Sequence, residues 1–174
     1  MVATLIMVVA VSRAAVAYHP APPAPADAGA KRAMLQYLQG QNERSPGLMA
    51  PVLADKFQTL SAQGMVVGTD SRAKMLAGLK QGSPNQTMHL SLDRVALCGP
   101  KRTQQTWTAK DSMSETGVER YQVKMIPGEA RALVTIQVKA RISPTQEVNE
   151  SAQFVFYLKR QAGTWVVYGV QQPG

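Results

Sequence analysis

The sequence predicts an α+β fold in which three N-terminal helices pack on a strongly curved, mainly antiparallel sheet. Three observations carry that expectation. Early segments repeat apolar residues at helical spacing, the later part alternates apolar with polar residues, and residues 151–172 (SAQFVFYLKR-QAG-TWVVYGVQQ) read as two strands joined by a short turn. Helices followed by an antiparallel meander put the helices on one face of the sheet. Long strands accumulate twist, so the sheet curves. Helices across its concave face then enclose a cone-shaped cavity.

The first seventeen residues predict an export segment. Thr4 to Val11 is an apolar run too short to span a bilayer, and Ala15 and Ala17 supply the small residues of a cleavage site. The mature chain would begin at Tyr18 and carry no membrane span. No Lys or Arg precedes the run, which departs from the usual pattern. Residues 18–28 (YHPAPPAPADA) form a Pro/Ala-rich linker of extended character that contains His19. Residues 29–174 remain for one domain.

Within that domain the first helix is expected from about Asp27 to Gln41. Ala30, Ala33, Met34, Tyr37 and Leu38 fall on one face of it. Ser45-Pro46 is a helix start, with Leu48, Met49, Val52 and Leu53 as its apolar residues. Phe57 to Ser61 reads as extended, and Gln63-Gly64 as a turn into Met65–Gly68. Thr69 or Asp70 is the expected cap of a third helix that turns Ala73, Leu76 and Leu79 inward. Met88, Leu90 and Leu92 then alternate with His89, Ser91 and Asp93. Strands with Trp107 and Ala109, and with Tyr121, Val123 and Met125, precede a Pro127-Gly128 turn. From Ala132 to Ile142 one strand carries an apolar face and a mostly polar face. The last two strands span about 152–160 and 164–171, and Ala152, Phe154, Phe156 and Leu158 share a face.

Composition narrows the function classes. At 174 residues the chain is long enough for one domain with a real core. Its net charge of +8 is scattered, with Lys31-Arg32, Lys101-Arg102 and Lys159-Arg160 as the nearest pairs. No nucleic-acid motif accompanies the charge, so a specific nucleic-acid role is not predicted. Cys98 is the sole cysteine and ends an apolar run, which predicts a buried thiol and no intrachain disulfide. With that one cysteine and His89 as the only histidine after the linker, no metal or cofactor is expected. Phosphate loops and nucleophile elbows are absent from the sequence. Asn85 and Asn149 open N-x-Ser/Thr sequons and are glycosylation candidates, in keeping with a secreted chain, or a periplasmic one if bacterial.

Tyr37-Leu-Gln-Gly-Gln-Asn42, Leu53-Ala-Asp-Lys-Phe57, Val67-Gly-Thr-Asp-Ser-Arg72 and the closing Phe156-Tyr-Leu-Lys-Arg…Thr164-Trp-Val-Val phrase come in a telling order. Over about residues 30–172 the chain resembles the NTF2-like superfamily, the cone of nuclear transport factor 2, ketosteroid isomerase and SnoaL-type cyclases. The resemblance implies fold more than function, because this fold hosts enzymes, binders and association domains. It places Tyr37 at the isomerase oxyanion-hole position and, aligned without gaps, Ser61 at the general-base position. A serine cannot take that role unaided, so isomerase chemistry is not supported.

The leading expectation is a secreted non-catalytic domain that binds an apolar small molecule or associates with a protein. Its cavity residues would be Tyr37, Leu53, Phe57, Leu76, Trp107, Phe154, Phe156 and Trp165. Val155, Tyr157 and Leu133, on the opposite strand faces, would support a sheet-to-sheet homodimer. The rival expectation is a dehydratase, isomerase or cyclase in which His89, Asp93 and Tyr37 converge on one substrate. Along one strand His89 and Asp93 stand about 13 Å apart, so the substrate would have to bridge them. A third is a binder of anionic polymers through Lys124, Lys139, Arg141 and Lys159.

Overall fold

The computed structural model describes residues 28–81, 86–99, 103–109, 119–143 and 145–172. The export segment, the linker before Ala28, His19 and Asn85 lie outside them. Helix α1 spans Ala28–Asn42. Its inward stripe is the expected one: Ala30, Ala33, Met34, Tyr37 and Leu38 are buried, joined by Gly40. A Cβ at Gly40 would stand 3.0 Å from Met49 Cβ and backbone nitrogen, so only glycine allows the next helix this close. The helix ends in a Schellman motif. The Arg44 amide donates to the Gln41 carbonyl at 3.2 Å and the Ser45 amide to the Gly40 carbonyl at 2.8 Å. Arg44 occupies the left-handed position with φ 51°, where glycine is the usual residue. A side chain there costs about 1–2 kcal/mol.

Helix α2 (Pro46–Met49) and a 3-10 turn (Ala50–Val52) lead into β1 (Leu53–Leu60), which pairs antiparallel with β2 (Val66–Ser71). Helix α3 (Arg72–Gly78) continues as a 3-10 turn, Leu79–Gln81. Its cap differs from the expected Thr69 or Asp70. Those residues stay paired in β2 opposite Gln58 and Phe57, and Ser71 Oγ accepts from the Lys74 amide at 3.2 Å. Register thus fixes the cap, and Met75, Leu76 and Leu79 face inward while Ala73 is exposed.

The remaining strands are β3 (Gln86–Leu97), β4 (Gln104–Ala109), β5 (Glu119–Lys124), β6 (Ala130–Ser143), β7 (Gln146–Gln161) and β8 (Thr164–Gln171). Six strands form the curved main sheet in the order β2-β1-β8-β7-β6-β3, with β1 and β8 parallel and every other neighbour antiparallel. Gly169 permits the parallel contact, since a Cβ there would sit 3.0 Å from the Gln58 carbonyl oxygen.

The concave face of the sheet carries the principal core. Leu53, Phe57, Leu90, Val134, Phe156, Leu158, Trp165 and Val167 pack there against α1, α2 and the turn after α3. The second core lies on the convex face, beneath the separate β4–β5 hairpin. Trp107, Ala109, Tyr121 and Val123 of that hairpin pack on Ala96, Leu133, Val155 and Tyr157.

This hairpin corrects two expectations. Trp107 is buried on the convex side and takes no part in the cone. Leu133, Val155 and Tyr157, expected to meet a second copy, are 7%, 0% and 3% exposed under the chain's own hairpin. A charged network runs through the same layer. Arg131 is fully buried and donates through Nε to the Lys124 carbonyl and through Nη1 to the Ala130 carbonyl, both at 2.9 Å. Its Nη2 pairs with Glu129 at 3.0 Å and its guanidinium lies 4.0 Å from the Tyr157 ring centre. Tyr168 donates to the same Glu129 carboxylate at 2.6 Å, and Tyr157 donates to Gln171.

Candidate functional site

The mouth of the cone is bounded by α1, α3, β1 and the strands β3, β6, β7 and β8. A hollow of about 270 Å³ lies there, lined by Tyr37, Phe57, Leu90, Ile136, Phe154, Phe156 and Val170, with Gln41, Thr59, Met75, Met88 and Gln172 also on its wall. Helical spacing on α1 brings Tyr37 inward beside Met34 and Leu38. Strand alternation brings Leu90, Ile136, Phe154 and Phe156 to the same side. The Tyr37 ring stacks on Phe57 with centroids 6.3 Å apart and meets Phe156 at 5.6 Å with a tilt of 58°. Its hydroxyl accepts a hydrogen bond from Gln41 Nε2 at 3.1 Å. Burial pushes its pKa up to about 12, with the Gln41 bond acting in the opposite direction.

A second hollow of about 370 Å³ adjoins the first, sharing Gln41, Met75 and Met88 and extending past Asn42, Arg44, Gly78, Leu79 and Gln86. Asn42 closes α1 onto β3. Its Nδ2 donates to the Leu90 carbonyl at 2.9 Å and its Oδ1 accepts from the Leu90 amide at 2.8 Å. Arg44 reaches the rim, where its Nη2 lies 3.4 Å from the Gln86 carbonyl oxygen.

Of the eight expected cavity residues, Tyr37, Phe57, Phe154 and Phe156 line the hollow. Leu53 and Trp165 are packed into the concave core and Leu76 packs against it, so these three support the wall without lining it. Trp107 belongs to the other face. The position on β1 that reaches the cavity beyond Phe57 is Thr59. Ser61 sits in the turn after β1, where its Oγ accepts from the Met65 amide at 3.3 Å.

The enzyme constellation does not assemble. Leu90 faces the cone, so its neighbour His89 faces the convex side, where it is exposed. Asp93 is also exposed and accepts hydrogen bonds there from Thr135 Oγ1 and Gln153 Nε2, both at 2.7 Å. A register shift between Leu92 and Arg94 turns Asp93 and Arg94 to one side, and Arg94 lies 4.6 Å over the Trp107 ring. The sheet therefore separates Tyr37 from both partners. Among the described residues that line the hollow, none is a carboxylate, imidazole or amine. No group of three or more His, Cys, Asp or Glu side chains among the described residues could hold a metal.

The four cations of the polymer-binding expectation are not gathered. Lys139 pairs with Asn149 on β7, and Lys159 lies ten residues farther along that strand, roughly 33 Å away. Arg141 is tied to Glu147 at 2.9 Å, and Lys159 sits over the Tyr168 ring at 4.7 Å. Asn149 is exposed on β7. Cys98 is buried, with its sulfur 3.5 Å from that of Met125, and burial pushes its pKa up.

Several lining residues escaped the sequence. Ile136, Leu90 and Met88 carried a signal, because they share the apolar register of their strands. Gln41 and Thr59 follow the faces of Tyr37 and Phe57 at helix and strand spacing but are polar, so an apolar pattern does not mark them, and Gln172 and Arg44 lie just beyond β8 and α1.

No family model matches the chain, and no curated protein resembles it in sequence. Solved structures do resemble it in fold. A ketosteroid isomerase-like protein from Erwinia carotovora atroseptica matches with a TM-score of 0.50 and 10% identity over 84% of this chain and 93% of that one. A hexachlorocyclohexane dehydrochlorinase of LinA type 3 from Novosphingobium barchaimii matches with a TM-score of 0.50 and 12% identity over 83% and 82%. At these identities the likeness is one of fold. No helix among the described residues is long and apolar enough to cross a membrane.

Proposed function

We propose that this chain, which has the NTF2-like fold, is a secreted, non-catalytic domain that holds an apolar small molecule in its cone. One observation carries the proposal: the hollow is walled by Tyr37, Phe57, Leu90, Ile136, Phe154, Phe156 and Val170, while its hydrogen-bonding groups are the hydroxyls and amides of Tyr37, Gln41, Thr59 and Gln172. Such a surface binds by apolar burial and uses a few polar groups for orientation. A volume of about 270 Å³ is near the lower end of small-molecule sites. General acid–base catalysis would need a group poised near neutral pH, and Tyr37 is far from that range.

Titration with a neutral naphthylamine probe tests this. Ile136→Trp fills the hollow from its wall and is expected to weaken probe binding by about tenfold or more. The far-UV circular dichroism should stay unchanged. Undiminished binding to a folded Ile136→Trp protein would place the probe elsewhere and sink the proposal. Export is supported by the Thr4–Val11 run and by Ala15 and Ala17. A secreted product whose chain does not start at Tyr18 would count against that cleavage.

A further inference from the structure

Arg44 stands at a position that glycine would fill without strain. The Schellman motif that ends α1 needs a left-handed residue there. The side chain carried there instead reaches the rim of the second hollow. Among the described residues its guanidinium makes one hydrogen bond, to the Gln86 carbonyl, which is long at 3.4 Å. Among the described residues no carboxylate lies within ion-pair distance of it, and none lines either hollow. Among the described residues lining this second hollow, Arg44, itself exposed, is the charged one, and we call the hollow the antechamber of the cone. Met75 and Met88 form the threshold to the cone, and Met88 is 44% exposed. Both are unbranched side chains that adapt to a passing chain.

We propose that the ligand is an anionic amphiphile, with its carboxylate held by Arg44 in the antechamber and its hydrocarbon body across Met75 and Met88 in the aromatic cone. This rests on the cavity reading above and specifies the class of molecule that fills it. A guanidinium suits a carboxylate because its planar donors can engage both oxygens.

The test compares decanoate with decanol on the mature chain by displacement of the neutral naphthylamine probe. Decanoate is expected to bind about tenfold more tightly than decanol, the scale of one charge-assisted hydrogen bond. Arg44→Gly should erase that preference, leave decanol binding within about twofold, and raise the thermal midpoint because the strained residue is gone. Arg44→Lys should keep only part of the preference, since a cation remains but the two-donor fork is lost. If both ligands bind equally and Arg44→Gly changes neither, the head-group assignment is overturned while the cavity reading stands. If neither ligand displaces the probe from the native protein, the amphiphile assignment falls, while the cavity reading is decided separately by probe binding to Ile136→Trp.

Discussion

Tyr37 keeps its proton because ionising it would leave a charge among Phe57, Phe156 and α1. Burial also pushes Tyr157 and Tyr168 up from the ordinary value, despite the Arg131 charge that opposes the shift in each. In the unfolded chain these phenols ionise near pH 10, whereas folded Tyr37 does so at about 12. Between those values the unfolded chain has released protons that the folded chain still holds. Stability from Tyr37 is fully present below about pH 10 and is lost as pH rises towards about 12, at up to about 1.4 kcal/mol per pH unit. Urea unfolding across that window should show a falling midpoint with Tyr absorbance rising at the same transition. Tyr37→Phe should make the fall shallower. A midpoint that stays flat from about pH 10 to about pH 12 would contradict the burial of these hydroxyls.

The β4–β5 hairpin acts as an element because one aromatic side chain anchors it. Trp107 is 1% exposed, lies beneath the Arg94 guanidinium, and has no hydrogen-bond partner for its indole nitrogen among the described residues. Tyr121 fastens the other strand by donating to the Gln153 carbonyl at 3.0 Å. Trp107→Ala should cost about 3–5 kcal/mol in chemical denaturation, the range for deleting a buried aromatic. Probe binding in the cone should stay within about twofold, because the main sheet separates Trp107 from that hollow. A parallel loss of probe binding would return Trp107 to the cavity wall. The edge strand β2 is a contrasting element: Val66 and Val67 are 52% and 63% exposed, with Met65 beside them at 64%.

On the scale of the molecule, periodicity alone revealed the two faces of each long strand and the inward stripe of α1. It did not reveal which face meets solvent. Leu133, Val155 and Tyr157 looked like an open surface because nothing in their own strands encodes the hairpin that lands on them. His89 and Asp93 looked paired because a strand repeats every second residue, yet their common side is the one turned away from Tyr37. Arg131 gave no sign of burial, since its position in β6 belongs to the polar register that faces outward elsewhere on the strand. Arg44 was hidden for the opposite reason, because a helix terminator is normally recognised by its glycine.

The hairpin over the convex sheet has one more consequence. Because it shields that apolar layer within a single polypeptide, the layer's contribution to folding is unimolecular and owes nothing to mass action. Dilution from about 100 μM to about 1 μM should leave the thermal midpoint unmoved, whereas a layer sealed by a second copy would lose stability with every tenfold step.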